Sequence, residues 1–357
     1  MKDRIYVCHT YYHVYVTFLK ELNMPKDKQG GATLILSRMS NDFETFAGRA
    51  LKSGLFEEVL EYDEKPMQFF ESLAPLKEDK GNIVLNMISR IRFCKKFAKL
   101  QAPYVPVDFR EYKDIYVYCD SDPIGYYLNH NKIYYHAMED GLNCLAYYDT
   151  ARFDNRGAFK LKTFMSKFLN LIFIQNGYGR YCKDMEVNDI SKIKYPCPYY
   201  KEVPRQQLVD RLTEEDKQVI LRAFVKDYDT LLDALKQADA DGRKKVLVLT
   251  EPLCDLVTRE RIFRDIIQMY GQDAVVVLKP HPRDILDYNT LFSDYFRIDR
   301  TVPMEMLNFI PGAHFDLLIS VLTETAAIQF ATEKIKLGPD FMDAYEAPHI
   351  HRQNEQI

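Results

Sequence analysis

Two short runs in this sequence place groups capable of proton transfer and anion binding where a chain would turn. MEDGLNCL carries Glu139, Asp140 and Gly141 shortly after the segment IYYH. Carboxylates at the carboxyl end of a strand line the crevice of an open α/β sheet, a placement suited to general-base work. There Gly141 would let the backbone turn tightly. The same tripeptide also fits a turn in which Asp140 caps a helix starting at Gly141. The second run, VVVLKPHPRD, ends an uninterrupted apolar strand pattern in Lys279, Pro280, His281, Pro282 and Arg283. The prolines fix φ on both sides of the imidazole, and the flanking cations suit an anion such as a nucleotide phosphate. Arg283 equally fits a surface charge.

Three further runs carry polar groups at the ends of expected elements. FDLLISVLTETAAIQFA reads as a buried strand entering a helix through a turn holding Ser320, Thr323 and Thr325. A helix N-terminus with hydroxyls beside it cradles phosphate without a glycine-rich loop, although the same residues are ordinary N-caps. Just upstream, TVPMEML puts Glu305 at a helix start, where it could accept hydrogen bonds from a ribose or base or simply favour the helix end. CHTYYH closes the first strand with His9, Thr10, Tyr11 and His13, a polar loop suited to contacting an acceptor sugar. His9 and His13 have a metal-ligand spacing, but no third ligand lies nearby. Asp120-Ser121-Asp122 spells a metal-binding Asp-x-Asp of the kind that holds a divalent ion against nucleotide phosphates. That tripeptide is common by chance. His349 and His351 lie in a polar tail and read as inert.

These residues need a scaffold of strands alternating with helices. Short β-branched or aromatic runs at 5–8, 33–37, 57–61, 115–119 and 133–136 give a first parallel α/β domain. The polar stretch 213–240 reads as helical. The small and charged residues of ADADGRKK then precede a new strand, KVLVLT, so the domain boundary is expected near Asp241: residues 1–240 and 241–357. The second half repeats the alternation with strands at 246–250, 274–278, 295–298 and 315–320 and a helix at 259–270. Two Rossmann-like domains in tandem, facing across a cleft, resemble the GT-B glycosyltransferase plan, with the last helix able to pack back on the first domain.

Composition excludes several classes. With 357 residues, 47% hydrophobic and 28% charged, the chain has material for two ordinary cores. No apolar run approaches the ~18 residues of a membrane span, and the N-terminus lacks a signal-peptide pattern, so a cytoplasmic location is expected. Seven scattered cysteines without a Cys-x-x-Cys pair support neither a disulfide framework nor a zinc knuckle. A net charge of −4 gives no footprint for nucleic acid. The exception is NMISRIRFCKKFAKL, whose Arg90, Arg92, Lys95, Lys96 and Lys99 read either as a solvated helix face or as a peripheral contact with an anionic membrane.

Taken in order, CHTYYHV, EDG, KPHP, PMEM and the hydroxyl turn resemble the motif series of bacterial sialyltransferases of glycosyltransferase family 52, over roughly residues 1 to 335. The resemblance implies an inverting, metal-independent transfer of sialic acid from CMP-sialic acid to a terminal sugar, galactose by analogy, of a capsule or lipooligosaccharide chain. Asp140 would be the general base, with Glu139 supporting or replacing it. His281 would hydrogen-bond or protonate the departing CMP phosphate. Lys279, Pro282, Gly141, Glu305 and the 320–325 hydroxyls would bind donor, with Thr323 the best match and Ser320 or Thr325 in reserve. This chain has LTET where relatives have two adjacent hydroxyl residues. No cofactor beyond the donor substrate is implied, and a homodimer is left open. Two other readings stay available: a CDP-polyol phosphotransferase of wall-polymer synthesis, and a non-catalytic sugar-nucleotide-binding protein.

Overall fold

The computed structural model describes residues 1–43, 45–118, 120–141, 144–145, 159–171, 177–193, 196–226, 228–300, 302–310, 313–323, 325 and 328–351. The chain divides into two compact units, Met1–Asp216 and Lys217–Ile357. The division precedes the boundary expected near Asp241, because the helix Tyr228–Ala240 groups with the second unit, where Lys245 pairs with Asp239.

In the first unit seven strands form one parallel sheet: β1 (Lys2–Cys8), β2 (Ala32–Ser37), β3 (Phe56–Tyr62), β4 (Tyr112–Tyr118), β5 (Tyr135–Met138), β6 (Cys182–Val187) and β7 (Tyr200–Glu202). Their spatial order is β3-β2-β1-β4-β5-β6-β7. The helices are α1 (Tyr11–Leu22), α2 (Phe46–Lys52), α3 (Ile83–Gln101), α4 (Pro123–His130), α5 (Phe159–Leu169) and α6 (Arg205–Asp210). Strand β1 lies at the centre with Ile5, Tyr6, Val7 and Cys8 all buried, as a strand covered on both faces requires. Its one buried charge, Arg4, is matched by Glu21 of α1, at 2.7 Å from Nε to Oε1. Unpaired, that guanidinium would cost several kcal/mol, on the order expected for a buried ion stripped of its partner.

The second unit contains β8 (Lys244–Leu249), β9 (Ala274–Lys279), β10 (Phe296–Arg297), β11 (Phe315–Ser320) and β12 (Ala331–Lys336), ordered β10-β9-β8-β11-β12 and again all parallel. The helix α7 (Glu214–Phe224) spans the division; α8 (Tyr228–Ala240) and α9 (Leu256–Tyr270) follow. Both sheets reverse their strand order beside a central strand, at β1/β4 and at β8/β11. In an open α/β sheet such a switch point opens a crevice at the carboxyl ends of the strands.

Nine of the twelve described strands lie where the alternation places them; β6, β7 and β12 do not announce themselves. Their sequences, CKDMEV, YKE and ATEKIK, are rich in charge. In β6 and β7 the charges satisfy one another across the sheet: Asp184 meets His136 of β5 at 2.6 Å and pairs with Lys201 of β7. β7 and β12 close their sheets, and edge strands tolerate charge that discourages pairing with other chains.

Candidate active site

The first unit's polar groups gather where β1, β4 and β5 end. Thr10 caps α1, its Oγ1 accepting the His13 N–H at 3.1 Å. That cap seats His13, fully buried, with its ring stacked on Tyr118 at a centroid distance of 4.2 Å. His13 Nδ1 accepts the backbone N–H of His9 at 3.0 Å, so in the neutral ring the proton sits on Nε2. Nε2 in turn donates to Asp140, lying 2.8 Å from both its Oδ1 and its carbonyl oxygen. Burial holds the His13 pKa below its ordinary value, which keeps this ring neutral and a donor. The Asp140 carboxylate is 42% exposed, so one face is tied to His13 while the group still meets solvent.

The neighbours of Asp140 have other work. Glu139 is buried; its carboxylate accepts the N–H of Asn188 at 2.7 Å and of Leu145 at 3.5 Å, and burial raises its pKa. It pins the loop that carries Asp140. Gly141 has no left-handed φ, and a Cβ there would meet only Cys144 Cβ at 3.8 Å, so the turn does not depend on glycine. His9, 2% exposed, does not present its ring to a sugar: Nε2 lies 2.7 Å from Glu64, whose other contacts are Ser37 Oγ at 2.6 Å and the Ile124 N–H at 2.7 Å. Burial alone would lower the His9 pKa, but Glu64 outweighs it and lifts the value to about 9. Tyr11 packs against Phe43 and Phe46, at 5.0 and 5.5 Å. The Asp-x-Asp run is split: Asp120 is buried and accepts the Tyr135 hydroxyl at 2.9 Å, whereas Asp122 sits at the start of α4, 3.8 Å from His9.

In the second unit, His281 stands half-buried just beyond β9. Its Nδ1 accepts the N–H of Arg283 at 3.1 Å, and its own N–H donates to Thr250 Oγ1 at 3.3 Å. As in His13, occupation of Nδ1 places the proton on Nε2. Burial, reinforced by Arg283 and Lys279, lowers the His281 pKa and favours that neutral donor form. The turn is braced from below by Asp284, which sequence reasoning passed over: it is buried, paired with Arg259 at 2.6 Å, and accepts the Tyr288 hydroxyl at 2.8 Å. Its N–H also closes the turn on the His281 carbonyl at 2.9 Å. Lys279 does not reach out to a phosphate. It is 5% exposed and its ammonium donates to the carbonyls of Pro280 and Arg300, at 3.0 and 3.2 Å. Pro282 is exposed.

The hydroxyl turn departs from expectation in a way that matters chemically. No helix follows β11 among the described residues; Val321–Thr323 bend and the chain enters β12 at Ala331. The anion-binding geometry is present but already filled. Three successive N–H groups, of Val321, Leu322 and Thr323, point at Glu251 Oε1 at 2.9, 3.0 and 3.1 Å, and Leu322 also reaches Oε2 at 3.1 Å. Successive backbone donors aimed at one anion form a nest, and here a buried carboxylate from the end of β8 takes the place a helix N-terminus was expected to offer. Glu251 and this turn lie at the β8/β11 reversal, the switch point of the second sheet. Ser320 is buried and donates to the Thr323 carbonyl at 2.9 Å, and Thr325 is buried with its carbonyl accepting the Ile328 N–H at 3.1 Å. Thr323 is half-buried and remains the candidate hydroxyl. Glu305 lies in a short 3-10 turn, Met304–Asn308, begun by Pro303; its side chain is outside the described residues.

Two Rossmann-like units of this kind make up a GT-B fold. Residues 71–338 match the family model described as Glycosyltransferase family 52, and the chain belongs to that family. Among solved structures it is similar to an alpha/beta-galactoside alpha-2,3-sialyltransferase from Photobacterium phosphoreum, with 14% identity, a TM-score of 0.51, and coverage of 94% of this chain and 90% of that one. It is also similar to the GT-B domain of a sialyltransferase from Photobacterium damselae, with 12% identity, a TM-score of 0.50, and coverage of 100% and 97%. A Haemophilus influenzae protein of uncharacterised function is 32% identical over 128 residues, which are 34% of this chain and 39% of that relative's length.

Proposed function

We propose that this glycosyltransferase is an inverting, metal-independent sialyltransferase that uses CMP-sialic acid and delivers the sugar to a terminal galactose of a capsule or lipooligosaccharide chain in the cytoplasm. Asp140 takes the proton of the acceptor hydroxyl as its oxygen bonds the anomeric carbon. The bond from that carbon to the phosphate oxygen breaks on the opposite face, and CMP leaves with the electron pair. His281 donates its Nε2 hydrogen bond to the phosphate as charge develops. The observation that carries this reading is the matched state of the two groups: a carboxylate held by a buried neutral histidine, and a histidine whose Nδ1 is occupied so that it faces ligand as a donor.

Several features support the finer points. The Asp120 carboxylate is buried against the Tyr135 hydroxyl while that of Asp122 lies 3.8 Å from His9, which favours a mechanism that leaves the phosphate to His281 and Thr323. Family membership supports a nucleotide-sugar donor and a sugar acceptor. The test is CMP release from CMP-sialic acid with and without lactose, in EDTA. Acceptor-stimulated release that collapses in Asp140→Ala and His281→Ala is the expected result. Release that requires Mn²⁺ overturns metal independence, and indifference to CMP-sialic acid replaces the donor with a CDP-polyol.

A further inference from the structure

One buried carboxylate of the first unit takes no part in the transfer step, yet it touches the elements that hold the candidate base. Glu64, just past the end of β3, is 2% exposed and accepts three donors. These are Ser37 Oγ at the end of β2, at 2.6 Å, the Ile124 N–H in the first turn of α4, at 2.7 Å, and His9 Nε2 beyond β1, at 2.7 Å. Donors on both oxygens and no neighbouring acceptor make Glu64 an ionised group. A buried charge needs a partner of opposite sign, and His9 is the only basic side chain paired with it among the described residues.

Where that positive charge sits bears on Asp140 through His13. The His9 and His13 rings are both buried, with centroids 6.0 Å apart. Two imidazolium ions so close in a buried site repel strongly, so the pair carries one charge between them. Two carboxylates compete for it: Glu64, 2.7 Å from His9, and Asp140, 2.8 Å from His13. The backbone tips the balance, because His13 Nδ1 accepts the His9 N–H at 3.0 Å and a second proton there would break that bond. The His9 ring carries no such restraint, since its Nδ1 is buried without a hydrogen-bond partner. The other ionisable groups acting on His9 are Asp122 at the start of α4, 3.8 Å from Nε2, and Asp140, and both favour a cation there. Tyr62 of β3 faces Glu64 as a phenol kept neutral by burial and then by Glu64 itself. Burial pulls the His9 pKa down but is outweighed by Glu64, whereas burial lowers that of His13 against the pull of Asp140, and the charge on His9 adds to the fall.

We propose that Glu64 is a positioning residue for the base: by holding the one positive charge of this cluster on His9, it keeps His13 a neutral donor to Asp140 and leaves that carboxylate able to take a proton. The role rests on Asp140 acting as the base. Without Glu64 the charge passes to His13, and an imidazolium bonded to Asp140 makes it a weaker base. The test is nitrogen-15 NMR of the full chain labelled at histidine, wild type and Glu64→Gln, together with kcat measured from about pH 6 to about pH 9. Near neutral pH the wild-type His9 ring should be protonated on both nitrogens and His13 on Nε2 alone, the signals being assigned with His9→Gln and His13→Gln. In Glu64→Gln the His9 ring should be neutral, and kcat should fall about tenfold near the acid end of that range and recover toward wild type at the alkaline end, with the KM for donor unchanged. Glu64→Asp, which restores the charge, should restore the profile. A loss of kcat equal at every pH and matched by a lower Tm would overturn the proposal by making Glu64 purely structural. A neutral His9 ring in the wild type would overturn it without any variant, so the test does not depend on Glu64→Gln folding. Full turnover in Asp140→Ala would instead remove the base, and with it the role of Glu64 in turnover, while the ring signals would still report where the charge sits.

Discussion

The two units solve one problem with opposite materials. In the first, a buried histidine holds a half-exposed carboxylate: His13, neutral, fixes Asp140. In the second, buried carboxylates hold the candidate parts: Asp284 braces the turn that presents His281, and Glu251 shapes the backbone at the sheet's switch point. In each case the group suited to chemistry keeps a face toward solvent, and the group that orients it has lost its own. A titratable residue picked from sequence is therefore ambiguous until its exposure is known. His9 and His13, four residues apart, look alike in the sequence and have unlike charge states in the fold.

The largest expected effect separates acting groups from orienting ones. His281→Ala and Asp140→Ala should each lower kcat by roughly 10³-fold, within the range for loss of a general acid or base, while Lys279→Met should alter folding more than turnover. Comparable losses of turnover in a well-folded Lys279→Met would place that ammonium back among the donor contacts. Next comes Glu251→Ala, which leaves three aligned N–H groups without their acceptor and should destabilise the second unit by about 1–3 kcal/mol. Because the emptied nest is an anion site, added sulfate should raise the Tm of this variant more than that of wild type. An equal response in both would mean that the turn does not keep its shape without Glu251.

His13→Ala should reduce kcat about tenfold with little change in the KM for donor, and His13→Gln, which retains a donor, should recover part of it. A purely structural His13 would move Tm without this split. The smallest effect concerns pH. The native state binds the His9 proton more tightly than the unfolded chain, with a pKa of about 9 against 6.5. The stabilisation from the His9–Glu64 pair is therefore complete below pH 6.5 and is lost as pH rises through about 9. A Tm profile across that window should slope downward in wild type and flatten in Glu64→Gln.

The sequence was informative where a single physical cause dominates. Apolar runs such as IYVC in the first half and VLVL and VVVL in the second read as strands covered on both faces, and their alternation with helical stretches gives two parallel α/β units. The Pro-His-Pro run stands out as a candidate, because two fixed φ values flank its imidazole. Glu139, Lys279, Ser320 and His9 were legible as polar groups at strand ends, yet burial turned each toward a backbone group or a partner inside the fold. Asp284 and Glu251 carried no sequence signal beyond standing after a strand; their partners lie 25 residues away at Arg259 and 70 or more away at Val321–Thr323. The helix expected after β11 failed for the same reason.

Local composition determined most of the strands and helices, since periodicity and backbone sterics act over a few residues. The pairing of His13 with Asp140, 127 positions apart, and the filling of the 321–323 nest by Glu251 were decided only by the tertiary structure. Hydrogen bonds between groups at the ends of different strands depend on sheet order, and sheet order is written in no single stretch of the chain.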